Sequence, residues 1–268
     1  MLPIINIFGY SVGSYAVLSF LGFIVCGIVV YFSCRNLKIE IEDIAILELV
    51  VAAGLLFGGH LLYGITNISE IANAFKTLFE VEIEATVKTL SDSFGGMVFY
   101  GGFLGGIASL KIYIHFTKAK FKSSIMDIYA FSIPLFHFFG RIGCFLAGCC
   151  YGIESKFGFI VNNNTLVPSI NGVRRFPVAL FEAVSNIIIF YILLKMFKRG
   201  LCKNKLLYLY MIFYSSVRFF TEFLRGDSIR GIYLGVSTSQ WISIYLFTVG
   251  TLTMVKTKYT EKTRRSRK

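Results

Sequence analysis

Proline is nearly absent from this chain, four residues in 268, and charge is scarce: 16% of the residues are Asp, Glu, Lys or Arg. A soluble globular chain carries about 25% charged residues, so composition argues against an ordinary water-soluble domain. The few prolines, and the lack of any long Ser/Gly/Pro stretch, leave little room for linkers. No internal repeat or low-complexity tract divides the chain, which points to one domain. The six cysteines, at 26, 34, 144, 149, 150 and 202, show none of the paired spacings of a zinc or redox motif. Cys26, Cys34 and Cys202 read as small apolar fillers. No metal-ligand constellation, no cofactor motif and no nucleic-acid motif stands out.

What the chain has in abundance is apolar sequence, 55% of its residues. A helix needs about 20 largely apolar residues to cross a bilayer. Runs of that kind lie near 14–33, 44–66, 96–117, 125–147, 176–197, 205–224 and 232–255. The predicted fold is an all-α polytopic membrane protein with about seven transmembrane helices. Residues 1–255 form a single integral membrane domain, followed by a basic tail over 256–268. The first run is read as a span and not a signal peptide. No Lys or Arg precedes it, it is long, and no small-residue cleavage site is clear.

The net charge of +12 invites a nucleic-acid reading, but its placement speaks for membrane topology. Alternate connecting segments carry Arg35 and Lys38, then Lys118, Lys120 and Lys122, then Lys198, Arg199, Lys203 and Lys205, then the tail. The other set is poorer in positive charge. Its 67–95 segment holds Glu70, Glu80, Glu82, Glu84 and Asp92 against Lys76 and Lys88. Positive residues stay on the cytoplasmic side. The tail is therefore expected inside, solvated or touching anionic headgroups. An odd number of spans then puts the amino terminus outside.

Seven ionisable residues fall within or near the ends of the spans: Glu48, Lys111, Asp127, Arg141, Glu182, Arg218 and Glu222. A charge at membrane depth is costly, faces the interior and often marks a site. Lys111 can snorkel to the cytoplasmic side. Glu48 and Asp127 can equally serve helix ends or packing. Tyr214, Arg218, Glu222 and Arg225 fall at helical spacing on one face of the sixth span. They form either an internal salt bridge or an anion site, in which Glu222 orients an arginine fork toward phosphate. The run from Gly95 to Gly106 opens the third span. Its pairs Gly101/Gly105 and Gly102/Gly106 suit close helix packing, and Tyr100 lies just below the outer surface.

The densest signal is His137-Phe-Phe-Gly140-Arg141-Ile-Gly143-Cys144-Phe145-Leu-Ala147-Gly148-Cys149-Cys150-Tyr151-Gly152. This stretch resembles the signature of the prolipoprotein diacylglyceryl transferase family, Gly-Arg-x-Gly-Asn-Phe-x-Asn-Gly-Glu-x-x-Gly. Gly140, Arg141, Gly143, Phe145, Gly148 and Gly152 fit it. Cys144, Ala147 and Cys149 stand in place of Asn, Asn and Glu. Other segments follow in order. Tyr15 resembles an early Tyr-Gly position, with Ala16 for the glycine. Tyr100-Gly101-Gly102 resembles His-Gly-Gly. Phe176-Pro177-Val-Ala-Leu180-Phe181-Glu182 resembles His-Pro-x-Gln-Leu-Tyr-Glu. The stripe from Tyr214 to Arg225 and Ser239-Gln240-Trp241 resemble the later motifs, so the likeness covers nearly the whole chain.

The resemblance implies a multi-pass protein of the bacterial cytoplasmic membrane. It implies transfer of diacylglyceryl from phosphatidylglycerol to the lipobox cysteine of a prolipoprotein signal peptide, releasing glycerol phosphate. Its partners are then phosphatidylglycerol, prolipoprotein signal peptides and membrane lipids, with no cofactor. Arg141 and Arg218 would be the phosphate and transition-state cations. Tyr100 occupies the position of one family histidine. His137, four residues before Arg141, either supplies an imidazole or is satisfied in packing. Tyr15, Gly101, Gly102, Gly143, Gly152, Glu182, Tyr214, Glu222 and Arg225 would hold substrate or orient the cations. Cys149 and Cys150 are either small residues at a helix end or thiols able to react or pair. Two competing functions stay open: a diacylglyceryl-type transferase with another acceptor, and a non-catalytic anionic-lipid-binding or transport protein.

Overall fold

The computed structural model describes residues 2–76, 83–117, 122–162, 164, 167–227 and 231–266. Glu80, Glu82, Lys118 and Lys120 of the charge pattern lie outside them, and so does the end of the tail. The chain forms two compact units, residues 1–33 with 123–268 and residues 34–122.

In the first unit a short hairpin, β1 (Ile4–Ile7) and β2 (Tyr10–Gly13), leads into helix α1 (Ser14–Asn36). In the second unit α2 (Ile41–Thr66) is followed by the short α3 (Ile68–Lys76) and α4 (Ile83–Gly95), then α5 (Phe99–Thr117). The first unit resumes with α6 (Lys122–Ala147), strands β3 (Glu154–Ile160) and β4 (Arg174–Arg175), and α7 (Val178–Lys198). It closes with α8 (Leu206–Thr221), a hairpin of β5 (Ile232–Tyr233) and β6 (Val236–Ser237), and α9 (Thr238–Ser266).

Long apolar runs make the helices, and their burial pattern is inverted relative to a soluble protein. Phe20, Phe57, Phe116, Ile188 and Leu252 lie on exposed faces, while Asp127, His137, Glu182, Asn186 and Arg218 are buried. Outward apolar faces with an ionisable interior are what a lipid environment selects. Four helices are each long and apolar enough to cross a membrane: Ser14–Asn36, Ile41–Thr66, Ser124–Ala147 and Val178–Lys198. A fifth span results if Thr86–Gly95 and Tyr100–Thr117, bent by 80°, count as one. The sixth expected run makes a helix of only 16 residues, about 24 Å at 1.5 Å per residue. The last begins at Thr238 rather than 232, because a hairpin precedes it. An all-α membrane protein is therefore what the fold shows.

In the second unit the glycines expected to pack helices do so. A Cβ on Gly101 would strike the carbonyl oxygen of Gly58, and one on Gly105 would strike that of Gly54. The α2 and α5 backbones approach closely only because both faces lack side chains there. Tyr100, Gly101 and Gly102 open α5 in this unit. Gly101→Val is expected to destabilise the α2–α5 pair by about 1–3 kcal/mol. A thermal midpoint in detergent equal to wild type would contradict that packing role.

Asp127 serves a helix end. Its carboxylate, buried on α6, accepts the backbone N–H of Asn204 at 2.6 Å and of Leu206 at 3.1 Å. Those donors open α8 and have no intrahelical acceptor. The start of α8 is thereby fixed to α6, which sets the register of the residues one to four turns further along.

Candidate functional site

The site belongs to the first unit and is built on one carboxylate. Glu182, one turn into α7, is buried. Its Oε1 accepts from Arg218 Nη1 at 2.9 Å and from Thr221 Oγ1 at 3.0 Å. Arg225 Nη1 stands 4.0 Å from the same oxygen. Its Oε2 lies 2.7 Å from Arg141 Nε, an ion pair that is not aligned as a hydrogen bond. Three arginines from α6, α8 and the segment after α8 thus converge on one glutamate.

Each arginine is used differently. Arg218 also reaches Ser239 Oγ at 2.9 Å and Glu222 Oε2 at 2.6 Å, so its planar fork is occupied on several sides. Arg225 is held by Asp227, Nε to Oδ1 at 2.9 Å and Nη2 to Oδ2 at 2.6 Å. Burial opposes the Arg225 charge, and the Asp227 hydrogen bonds outweigh it, holding the guanidinium above its usual range. Arg141 is the most accessible of the three, at 18% of its side chain against 4% and 2%. Among the described residues only its Nε is paired, so its terminal nitrogens keep their donors for another acceptor. The carboxylates Glu182, Glu222 and Asp227 balance the three arginines. Two arginines facing a single glutamate, as the spacing implied, understates the neutralisation.

Local structure explains the convergence. Arg141 lies four residues after His137 and three before Cys144 on α6. The His137 imidazole is buried, its Nδ1 lies 2.7 Å from the Tyr210 hydroxyl, and it stacks on Tyr214 at 4.9 Å between centroids. The ring is therefore held in packing one turn from Arg141. Tyr210→Phe removes that hydroxyl, and a cost of about 1–3 kcal/mol is expected, as for a buried hydrogen-bonding group left unmatched. Chemical unfolding with an unchanged midpoint would contradict it.

The expected stripe from Tyr214 to Arg225 is not one continuous helix. Regular helix ends at Thr221, and Glu222–Leu224 tighten into a 3-10 turn. Arg225 follows in extended backbone and pairs with Gly152 in an antiparallel bridge. The tightened turn brings Arg225 back onto Glu182, where helical spacing alone would carry it onward. Gly152 is required for this contact: a Cβ there would strike the Phe176 carbonyl oxygen and lie 3.0 Å from that of Leu224. Gly143 has a similar part on α6, where a Cβ would stand 3.1 Å from Tyr15 Cα. Close approach at Gly143 sets Tyr15, a half-exposed phenol on α1, beside the motif that carries Arg141.

Thr221, Asp227 and Tyr210, which no sequence motif singles out, make the contacts above, and Ser239 of the Ser239-Gln240-Trp241 motif joins them. Asn186, one turn past Glu182, donates to the Glu182 carbonyl at 2.8 Å and keeps its Oδ1 buried without a hydrogen bond. Its i, i+4 spacing from Glu182 was the available signal. Arg175 donates to the Gly152 carbonyl at 3.2 Å and lies over the Tyr151 ring at 4.8 Å. Gln240 has a local task. Its Oε1 accepts from Ser237 N at 3.0 Å, and its own N–H donates to Ser237 Oγ at 3.2 Å. That reciprocal capping box starts α9 and thereby places Ser239 against Arg218.

The three cysteines of the motif also meet. Cys144 lies on the last turn of α6, and left-handed residues Gly148 and Cys150 fold the chain back. Their three sulfurs lie within 4.8 Å of one another. The Cys150 thiol is held below its usual range, first by hydrogen bonding with Cys144 and Cys149, then by Arg225 and Arg141.

An arginine fork held at Nε by a buried glutamate, with no partner on its terminal nitrogens among the described residues, is chemically suited to an anionic group. The family model described as prolipoprotein diacylglyceryl transferase matches residues 3–256. The chain belongs to the prolipoprotein diacylglyceryl transferase family. A phosphatidylglycerol–prolipoprotein diacylglyceryl transferase of Clostridium tetani is 29% identical over 254 residues, covering 93% of this chain and 95% of the relative. A second, numbered 2 in Clostridium perfringens, is 33% identical over 254 residues, covering 92% and 91%. One from Finegoldia magna is 28% identical over 259 residues, covering 94% of each chain. This member of the prolipoprotein diacylglyceryl transferase family carries cysteines at 144 and 149 within its arginine motif.

Proposed function

We propose that this chain transfers a diacylglyceryl group from phosphatidylglycerol to the lipobox cysteine of a prolipoprotein signal peptide, in the bacterial cytoplasmic membrane. The sulfur bonds to the glyceryl carbon, and the thiol proton ends on the departing glycerol phosphate or in water. The bond from that carbon to the phosphate oxygen breaks, and glycerol phosphate departs. The leaving phosphate gains charge as the bond breaks, so the chemistry calls for fixed cations at that oxygen.

The observation that carries this reading is the convergence of Arg141, Arg218 and Arg225 on Glu182, with the terminal nitrogens of Arg141 open. A planar guanidinium matches two phosphate oxygens at once. Arg141 is the direct phosphate ligand in this scheme. Arg218 is the second cation and holds Glu182 in line, while Glu222 and Arg225 fix the frame. Tyr15 and Tyr214 line the lipid pocket, and Gly143 and Gly152 permit the close approaches.

The test is mass spectrometry of a lipobox peptide incubated with phosphatidylglycerol vesicles containing the protein. A peptide heavier by one diacylglyceryl group is expected, and none when its cysteine is replaced by serine. Unmodified peptide with well-folded protein would move the weight to another acceptor or to lipid binding alone.

The topology proposed with this function has seven spans, residues 1–13 outside and the basic tail inside. A membrane-impermeant maleimide should label Phe8→Cys in intact cells that lack other accessible thiols. Labelling only after lysis would reverse the orientation.

A further inference from the structure

The three sulfurs near the end of α6 form the one group of three potential metal donors among the described residues. They come from one turn of chain. Cys144 lies on the last turn of α6, Gly148 turns at φ +73°, and the Cys149 thiol donates to the Cys144 carbonyl at 3.6 Å. Cys144 is buried, and Cys149 and Cys150 are half-buried. Cys149 and Cys150 line a cavity with Phe145, Gly148, Tyr151 and Arg175.

We propose that Cys144, Cys149 and Cys150 bind one soft monovalent metal ion, copper(I), through three thiolates. Soft thiolate ligands select copper(I), zinc and iron–sulfur clusters. Structural zinc takes four protein ligands, and among the described residues no histidine or carboxylate joins these three. Sulfurs about 2.3 Å from a common ion and spread evenly around it in a plane stand about 4 Å apart, a small contraction of the set observed here. Three thiols and one copper(I) give a tris-thiolate complex of charge minus two and release three protons. An occupied site pins the turn that leads to Gly152, and so the bridge that carries Arg225. The binding claim is independent of the transferase reading.

The experiment uses the full chain, purified in detergent under reducing conditions, with copper(I) supplied from a bicinchoninate buffer. One copper per chain is expected, and X-ray absorption should show three sulfur neighbours at about 2.3 Å. Cys144→Ser, Cys149→Ser and Cys150→Ser should each weaken retention at least tenfold, and Cys202→Ser should leave it unchanged. The wild-type stoichiometry and ligand shell decide the matter without any variant. No copper taken from the buffer, a nitrogen or oxygen shell, or full retention in the Cys149→Ser/Cys150→Ser double variant would overturn the proposal.

Discussion

Glu182→Gln should both unfold the site and silence the enzyme. The glutamate is buried and is the common partner of Arg141, Arg218 and Arg225. Glutamine keeps the shape and one hydrogen-bond acceptor but removes the negative charge. Three guanidiniums would then face one another with only Glu222 and Asp227 to balance them. Removing one partner of a buried ion pair destabilises by about 3–5 kcal/mol. The expected result is a clearly lower thermal midpoint in detergent, together with loss of diacylglyceryl transfer. Transfer at wild-type rate in Glu182→Gln would show that the hub is scaffolding without electrostatic consequence.

Arg141 should show a mainly chemical deficit by contrast, with a smaller loss of stability than Glu182→Gln. Its Nε alone meets Glu182, and its side chain is the most accessible of the three arginines. Arg141→Ala therefore leaves the Glu182–Arg218–Thr221 bonds in place. Loss of one preorganised donor to a developing negative charge lowers turnover by about 100- to 1,000-fold. Arg141→Lys should recover only part of this, because an ammonium keeps the charge and lacks the planar fork. The measurement is kcat and KM for phosphatidylglycerol in both variants. Loss of stability as large as that of Glu182→Gln, or full rescue by lysine, would contradict the assigned division of labour.

Much of this arrangement was legible from residue order, for identifiable reasons. Helices α1, α2, α6 and α7 follow from apolar runs long enough to span a bilayer, which is a local property. That Arg141, Glu182 and Arg218 face the interior and pair with one another accords with the cost of placing charge among apolar helices. The spacing of Gly101 and Gly105 likewise foretold the close α2–α5 approach. Contacts between distant segments left no local trace. Asp127 caps a helix 77 residues away, and Ser239 reaches Arg218 across 21. The 3-10 turn at Glu222–Leu224 broke a pattern that helical periodicity extends through Arg225. The cysteine cluster was invisible because two left-handed residues make it, and spacing encodes no such turn. The helices α3 and α4 and the strands β3 and β4 arose in segments read only as connections between spans.

In the proposed mechanism the arginine cluster drives transfer of a diacylglyceryl group away from phosphate. The most direct measurement uses phosphatidylglycerol labelled separately in its acyl chains and its phosphate, in vesicles with a lipobox peptide and either wild-type protein or Arg141→Ala. The expected result from wild type is acyl label on the peptide and phosphate label in water-soluble glycerol phosphate, one for one. Arg141→Ala should slow both by the same factor. Phosphate label on the peptide, or acyl transfer undiminished by Arg141→Ala, would contradict it.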